Sequence, residues 1–385
     1  MTRRRLYACV AALGLACSAC SAGVSASDIP SPSPSSSSCP AQVFSRMTEA
    51  QRVGQLFLVG IAGDSISDIS KAVTTYHFGS LLYGTNTAAG VTAIRRETSE
   101  IQALASSYAT AGVRFFIAAN QEGGEVQNMQ GPGFAQIPSA LEQGTLTPGD
   151  LAQQAADWGR ELSSAGVNLN LAPVMDVVPP GTAADNQPIG ALQREFGDTP
   201  ATVADHGVAF IKGMRQAGVA TTAKHFPGLG RVVGNTDFTS GVVDTVTTPD
   251  DPYLQTFQDA IDAGVPFVMV ALATYTRIDP GHLAAFSSRV MRSMLRQQMH
   301  FHGVVVSDDL GVAAAVADIS PATRGIDFLA AGGDMITSES LTAATEMDAG
   351  ILEHAAMDPA FRAEVNSAVR YVLSAKQAYH LLQCS

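Results

Sequence analysis

Short apolar runs rich in β-branched residues alternate along most of the chain with amphipathic segments of helical length. This alternation is typical of a parallel sheet whose strands are joined by crossover helices. The eight runs predicted to be strands are residues 56–61, 79–83, 114–119, 168–174, 218–223, 266–271, 303–307 and 334–336.

Amphipathic segments lie between these runs and predict helices over residues 92–111, 151–165, 200–217, 251–263 and 288–299. Eight such units favour a (β/α)8 TIM-type barrel over a doubly wound sheet, because no Gly-x-Gly-x-x-Gly motif follows the first strand. The tail over residues 341–382 predicts two more helices, with Pro359 near the start of the second. We therefore expect one barrel domain over residues 44–385.

Polar residues collect just beyond the ends of several predicted strands. They occur in residues 120–127, at Asp176, in a loop at 194–197, at Lys224-His225 and in residues 307–310. Each has a local explanation, since Asp308 can cap a helix and a Gly-Gly pair can form a turn. The carboxyl ends of barrel strands meet at one face, which carries the chemistry of barrel enzymes. Together the groups predict an active site at that face.

Composition narrows the chemistry of this site. The chain is 46% hydrophobic and 15% charged with a formal net charge of -12, which argues against nucleic acid as a partner. No cysteine or histidine cluster predicts a metal or cofactor. Carboxylates, cations and amides instead suit a carbohydrate, and cleavage of a glycosidic bond needs two carboxyl groups. Asp308 is the predicted nucleophile, with Lys224 keeping it ionised.

The first 26 residues combine three arginines with an apolar stretch that is too short to span a bilayer, as in a secretory signal. Leu13-Gly14-Leu15-Ala16-Cys17 resembles a bacterial lipobox, which predicts lipid attachment at Cys17. Attachment at Cys20 and a plain cleaved signal near Ala26 are the alternatives. Residues 27–43, rich in serine and proline, are predicted to be a flexible tether. We expect an exported, membrane-anchored monomer.

Two further cysteines, Cys39 and Cys384, lie at the edges of the predicted domain. In an exported protein they can form a disulfide, although two unpaired surface thiols are the alternative. Closing so long a loop stabilises a fold by up to about 5 kcal/mol in the chain-entropy model.

Five motifs resemble glycoside hydrolase family 3, in its single-barrel bacterial β-N-acetylglucosaminidase branch. The resemblance covers residues 44–379 and implies a (β/α)8 barrel that retains anomeric configuration through a glycosyl-aspartate intermediate. The motifs are Glu122-Gly123-Gly124, Asn170-Leu171-Ala172-Pro173-Val174-Met175-Asp176, Arg194-Glu195-Phe196-Gly197, Lys224-His225-Phe226-Pro227-Gly228 and Ser307-Asp308-Asp309-Leu310.

The resemblance implies a role for most of the polar residues already singled out. Asp308 matches the family's nucleophile, and Lys224, His225 and Arg194 match residues that hold the sugar. Asn120 stands where the branch has a sugar-binding aspartate, which removes a charge from that contact. Asp176 is expected either to bind the sugar or to support the site from below.

The acid/base residue departs from the branch pattern, which reads Asp-Ser-His. This chain has Asn235-Thr236-Asp237, so Asp237 falls on the histidine position. Asp237 is the predicted acid if burial near Asp308 raises its pKa. The alternative is that the acid is lost. Glu125, Asp244 and Glu122 are lesser candidates.

We therefore expect a retaining exo-glycosidase acting on terminal β-linked N-acetylglucosamine, as in peptidoglycan fragments. The alternatives are a β-glucosidase, a phosphorolytic variant with Arg231 in a cationic pocket, and a catalytically inactive sugar-binding lipoprotein.

Overall fold

Eight parallel strands form the centre of the structure, a computed structural model that describes residues 38–61 and 66–384. The strands are β1 Phe57–Gly60, β2 Ser80–Tyr83, β3 Phe116–Ala119, β4 Leu169–Asn170, β5 Ala220–Phe226, β6 Phe267–Val270, β7 Val304–Ser307 and β8 Ile336–Ser338. Their order is β7-β6-β5-β4-β3-β2-β1-β8, and a parallel bridge between Val306 and Met335 joins the two ends. The predicted barrel is confirmed, with one strand in each predicted apolar run.

The eight strands differ from their predicted bounds by one or more residues, and three of the differences affect the site or its surroundings. β5 continues to Phe226, so Lys224 and His225 lie within the strand rather than beyond it. β4 is short, but hydrogen bonds to its neighbours continue beyond it from the Leu171 N–H to Ala119 and from the Thr222 N–H to Ala172, each at 2.9 Å, and Val174 forms a bridge with Lys224. β8 begins and ends two residues later than predicted.

Helices surround the barrel. They are α1 Cys39–Arg46, α2 Glu49–Gly54, α3 Ile66–Tyr76, α4 Gly90–Ala103, α5 Ser107–Thr110, α6 Ala140–Gln143, α7 Pro148–Ala165, α8 Pro200–Gln216, α9 Gln255–Asp262, α10 Pro321–Ala331, α11 Leu341–Met357 and α12 Pro359–Ala378. The predicted helix over 92–111 is in fact α4 and α5, and a π-helix, Arg289–Gln298, occupies most of 288–299. The two predicted tail helices are α11 and α12.

The barrel interior is packed with apolar side chains and closed at its amino end by α12. Phe116 of β3 meets Phe267 of β6 edge to face across the barrel, with ring centroids 5.3 Å apart. Below them the fully buried Lys376 of α12 donates to the carbonyl oxygen of Gly79, 2.6 Å away. Ligands can therefore enter only from the carboxyl end of the strands.

A disulfide joins Cys39, at the start of α1, to Cys384, with 5.7 Å between the Cα atoms. The helix begins at Cys39, within the segment 27–43 that was predicted to be a tether and before residue 44, where the domain was expected to begin. Phe44 of α1 packs against α12, where the Arg370 guanidinium lies 3.9 Å from its ring centroid.

The predicted signal, with Cys17 and Cys20, lies outside the described residues. Among the helices over residues 38–61 and 66–384, none has the length and apolar character needed to cross a membrane.

Candidate active site

A pocket of about 600 Å³ opens at the carboxyl end of the barrel strands. Its side chains come from seven of the eight strands or from the loops that follow them. Its polar lining consists of Asn120, Arg194, Lys224, His225, Asn235, Thr236, Asp237, Asp308, Asp309, Thr337 and Glu339. The structure thus brings together the predicted site residues, with the exception of Asp176.

Asp308 directly follows β7, which fixes its backbone. Its N–H donates to the carbonyl oxygen of Val270 in the neighbouring strand at 3.1 Å. The adjacent Asp309 is used structurally, because its carboxylate accepts backbone N–H groups from Gly311 at 3.0 Å and Glu339 at 2.8 Å. Asp308 is half-buried and accepts one hydrogen bond, from the Asp309 N–H at 3.0 Å. Its carboxylate is therefore available to a ligand.

Glu122 binds both cations of the pocket. Arg194 donates to the two carboxylate oxygens of Glu122 through Nε and Nη2, each at 2.8 Å, and Lys224 Nζ lies 2.6 Å from Oε1. Burial opposes ionisation of Glu122, but Arg194 and Lys224 outweigh it and lower its pKa to about 2. The cluster fixes two long cationic side chains at the floor of the pocket, where they can hold hydroxyl groups.

The Gly-Gly pair after Glu122 is required by the turn that positions this carboxylate. Gly123 has φ +109°, and a Cβ there would lie 2.1 Å from the carbonyl oxygen of Pro138. A side chain at this position would displace the turn.

Asn120 presents a donor to the pocket. Lys224 Nζ donates to Asn120 Oδ1 at 2.8 Å, which orients the amide so that its NH2 group remains for a ligand. An aspartate at the same position has no such donor when it is ionised. The change predicted from the sequence as a loss of charge is therefore also a change from acceptor to donor.

Asp176 supports the site and does not line it, which corrects the sugar-binding assignment. It is fully buried, and its Oδ2 accepts from Nδ1 of His225 at 2.8 Å. Its Oδ1 accepts the N–H of His225 at 3.1 Å and that of Leu229 at 2.9 Å. Asp176 thus orients the imidazole so that Nε2 is directed to the ligand.

Asp237 lies in a loop that is bonded to the segment after β7. Its N–H donates to Asn235 Oδ1 at 2.9 Å, and its carbonyl oxygen accepts the N–H of Ala314 at 3.1 Å. Asp237 is exposed at the pocket mouth, but the surrounding loops partly desolvate its carboxyl group. Burial and the charge of Asp308 raise the pKa of Asp237 to about 6, although nearby cations act in the opposite direction.

None of the three lesser candidates for the acid is suited to that role. Glu122 stays ionised because of its two cations. Asp244 is buried and accepts from the backbone N–H groups of Val246 and Thr247, each at 2.7 Å. Glu125 is exposed outside the pocket.

Glu339 is a pocket residue that the sequence analysis missed. It directly follows β8, and its side chain lies against Gly84, where a Cβ would be 3.0 Å from the carboxyl carbon. Burial and the charges of Asp309, Asp237 and Asp308 raise the pKa of Glu339 to about 7. The other site residues were identified as polar residues that directly follow a predicted strand. The eighth strand was predicted to end at residue 336, so Glu339 did not meet this criterion.

Comparison with known proteins supports one family. A beta-hexosaminidase of Vibrio cholerae is 34% identical over 291 residues, which cover 74% of this chain and 82% of the relative. The crystal structure of a beta-N-acetylhexosaminidase from Beutenbergia cavernae is 48% identical with a TM-score of 0.84, and the match covers 86% of this chain and 99% of that chain.

A glycoside hydrolase family 3 beta-N-acetylglucosaminidase from Paenibacillus sp. is 27% identical with a TM-score of 0.77, and the match covers 88% of this chain and 64% of that chain. The model of the glycosyl hydrolase family 3 N terminal domain matches residues 48–375. The match includes all eight barrel strands and every residue that lines the pocket. This chain belongs to glycosyl hydrolase family 3.

Proposed function

We propose that this chain is a retaining exo-glycosidase that hydrolyses terminal β-linked N-acetylglucosamine. The observation that carries the proposal is the convergence of Asp308 and Asp237 on one pocket whose floor is formed by Arg194 and Lys224. A pocket with a closed floor accepts the end of a sugar chain rather than its middle. The names of the relatives, beta-hexosaminidase and beta-N-acetylhexosaminidase, support this sugar.

In the first step Asp308 attacks the anomeric carbon while Asp237 gives its proton to the leaving oxygen. The glycosidic bond breaks as the bond between Asp308 and the sugar forms. In the second step Asp237, now ionised, takes a proton from water, and the resulting hydroxide displaces Asp308. The two carboxyl groups need opposite protonation states, which the raised pKa of Asp237 supports.

The charge of the pocket favours water over phosphate as the second nucleophile. The phosphorolytic alternative placed Arg231 in a cationic pocket, but this residue does not line the site. Its Nη1 binds Asp251 Oδ2 at 2.6 Å and its guanidinium stacks 3.9 Å from the ring centroid of Tyr253. The remaining cations are bound to Glu122, and carboxylates at the mouth repel an anion.

The test measures kcat/KM on the 4-nitrophenyl β-glycosides of N-acetylglucosamine and glucose, with and without phosphate. We expect the N-acetylglucosaminide to be preferred and phosphate to have no effect. Asp308→Asn should lose at least about a thousandfold in kcat. Asp157→Asn, on an exposed face of α7, is the control and should behave as the wild type. Equal rates in wild type and Asp308→Asn refute the enzyme assignment and leave the sugar-binding alternative.

We also propose that the protein is an exported monomer with lipid on Cys17. The arginine-rich apolar start and the disulfide between Cys39 and Cys384 support export, because disulfides persist in oxidising compartments. Wild type should partition into detergent and Cys17→Ser should not, with Cys20→Ser as the control. The opposite pattern assigns the lipid to Cys20. Light scattering of the released domain measures the oligomeric state.

A further inference from the structure

Two exposed apolar side chains stand beside the acid residue at the mouth of the pocket. Phe238 is 82% exposed and Val312 is 61% exposed, and both line the pocket. They belong to neighbouring loops, which are joined by the hydrogen bond from the Ala314 N–H to the Asp237 carbonyl oxygen at 3.1 Å. Large exposed apolar side chains that border a ligand pocket are typical of a binding surface. We refer to Phe238 and Val312 as the apolar wall of the pocket mouth.

The same part of the pocket is acidic. Within residues 38–61 and 66–384, the carboxylates of Asp237 and Glu339 have no hydrogen-bonding or ion-pair partner, whereas Arg194 and Lys224 are both bound to Glu122. The raised pKa values of both mouth carboxyl groups, about 6 and about 7, arise partly from neighbouring negative charge. Two cations share one carboxylate at the floor of the pocket, whereas no cation is bound to the carboxylates at its mouth.

We propose that Phe238, Val312 and Glu339, beside Asp237, form a leaving-group subsite that selects an uncharged sugar and rejects a carboxylate. This inference rests on the proposed function, because Asp237 marks the side on which the leaving oxygen lies.

The physical basis is the two-sided character of a pyranose ring. Its axial C–H bonds make an apolar face that packs on Phe238 and Val312, while its hydroxyl groups remain free to donate to Glu339. A carboxylate on the same ring would meet the carboxylate of Glu339, since Asp237 is protonated in the reactive form, and it would gain no counterion. The peptidoglycan substrates expected from the sequence end in muramic acid, which carries a lactyl carboxylate. A second N-acetylglucosamine carries none and is the occupant that fits.

The test compares two disaccharides that have the same leaving oxygen. One is N-acetylglucosaminyl-β-1,4-N-acetylmuramic acid, and the other is the same compound with its lactyl carboxylate converted to an amide. We expect the amide to have a kcat/KM at least about tenfold higher at pH 7 and low salt, and we expect salt to reduce the ratio. Glu339→Gln should bring the ratio closer to one.

Phe238→Ala tests the apolar wall, with Tyr108→Ala as the matched control, since Tyr108 is also an exposed aromatic residue (73% exposed) but lies on α5. Phe238→Ala should lower kcat/KM for the amide by about two- to tenfold, mainly through KM. The control should not change it.

Equal kcat/KM for acid and amide overturns the charge selection, and equal behaviour of Phe238→Ala and Tyr108→Ala overturns the apolar wall. Either result leaves the proposed function intact if the aryl N-acetylglucosaminide is still cleaved. Loss of that activity in the wild type refutes the proposed function itself.

Discussion

If Asp237 is the general acid, Asp237→Asn should impair only those substrates whose leaving group needs a proton. An asparagine keeps the shape of the side chain and removes its acidic proton. Loss of general-acid catalysis costs about 10²- to 10⁴-fold in rate. We expect that loss for N,N′-diacetylchitobiose. We expect almost none for the 2,4-dinitrophenyl glycoside, because its leaving group departs unprotonated.

The pH dependence follows from the direction of the pKa shift. The acid must be protonated in the free enzyme, so activity is present below its pKa and lost above it. With a pKa of about 6, roughly 90% of Asp237 is protonated at pH 5 and about 10% at pH 7. The kcat/KM for N,N′-diacetylchitobiose should therefore fall about tenfold between pH 5 and pH 7, and about tenfold for each further pH unit.

The assay is a pH profile of kcat/KM for both substrates with wild type, Asp237→Asn and Glu339→Gln. Asp237→Asn should abolish the descending limb for the disaccharide. Glu339→Gln should keep it and move it to lower pH, because the variant removes a neighbouring negative charge. If Asp237→Asn keeps the limb and Glu339→Gln abolishes it, Glu339 is the acid and the reasoning about Asp237 is wrong.

Three further predictions concern stability. Glu122→Gln leaves two buried cations unpaired and should lower the free energy of unfolding by about 3–5 kcal/mol, with the exposed Glu125→Gln as control in thermal unfolding. Cys384→Ser should abolish a non-reducing mobility shift and lower the free energy of unfolding by up to about 5 kcal/mol in urea. Because burial lowers the pKa of Lys376 to about 7, the unfolded chain binds more protons than the fold above pH 7. Stability should therefore rise by up to about 1.4 kcal/mol per unit from pH 7 to pH 9, a slope that Lys376→Met removes in urea titrations.

The barrel could be predicted because its strands are buried on both faces and so remain apolar over their whole length. An apolar run locates a strand but does not define its ends. β8 ends two residues later than predicted, and for this reason Glu339, which directly follows it, was not identified from the sequence. Strand ends depend on which backbone groups find partners across the sheet, and a sequence does not contain that information directly.

The members of the pocket could be predicted more readily than their partners. Lys224 was expected to keep Asp308 ionised, and it does lie near enough to interact with that charge, but its closest carboxylate is Glu122, 2.6 Å away. Arg231 was considered for an anion site, yet it binds Asp251. In both cases the carboxylate that binds the cation is far from it in the sequence, and nothing in the sequence indicates that the two side chains meet. Only the packing of loops decides which of two carboxylates a long cationic side chain reaches.

The replacement of the family's histidine by Asp237 gives a physical reason for Asn235. A histidine acid is oriented by a hydrogen bond from its ring, for which the branch pattern supplies an aspartate two residues earlier. Asp237 needs no such partner, and Asn235 Oδ1 instead accepts its backbone N–H at 2.9 Å. An aspartate at 235 could accept the same hydrogen bond, but it would add a further negative charge to a mouth that already holds Asp237, Asp308 and Glu339. That charge would raise the pKa of Asp237 further, which would make its proton harder to transfer to the leaving oxygen in the first step. Asparagine keeps the turn without the charge, so the residues at 235 and 237 are coupled through electrostatics.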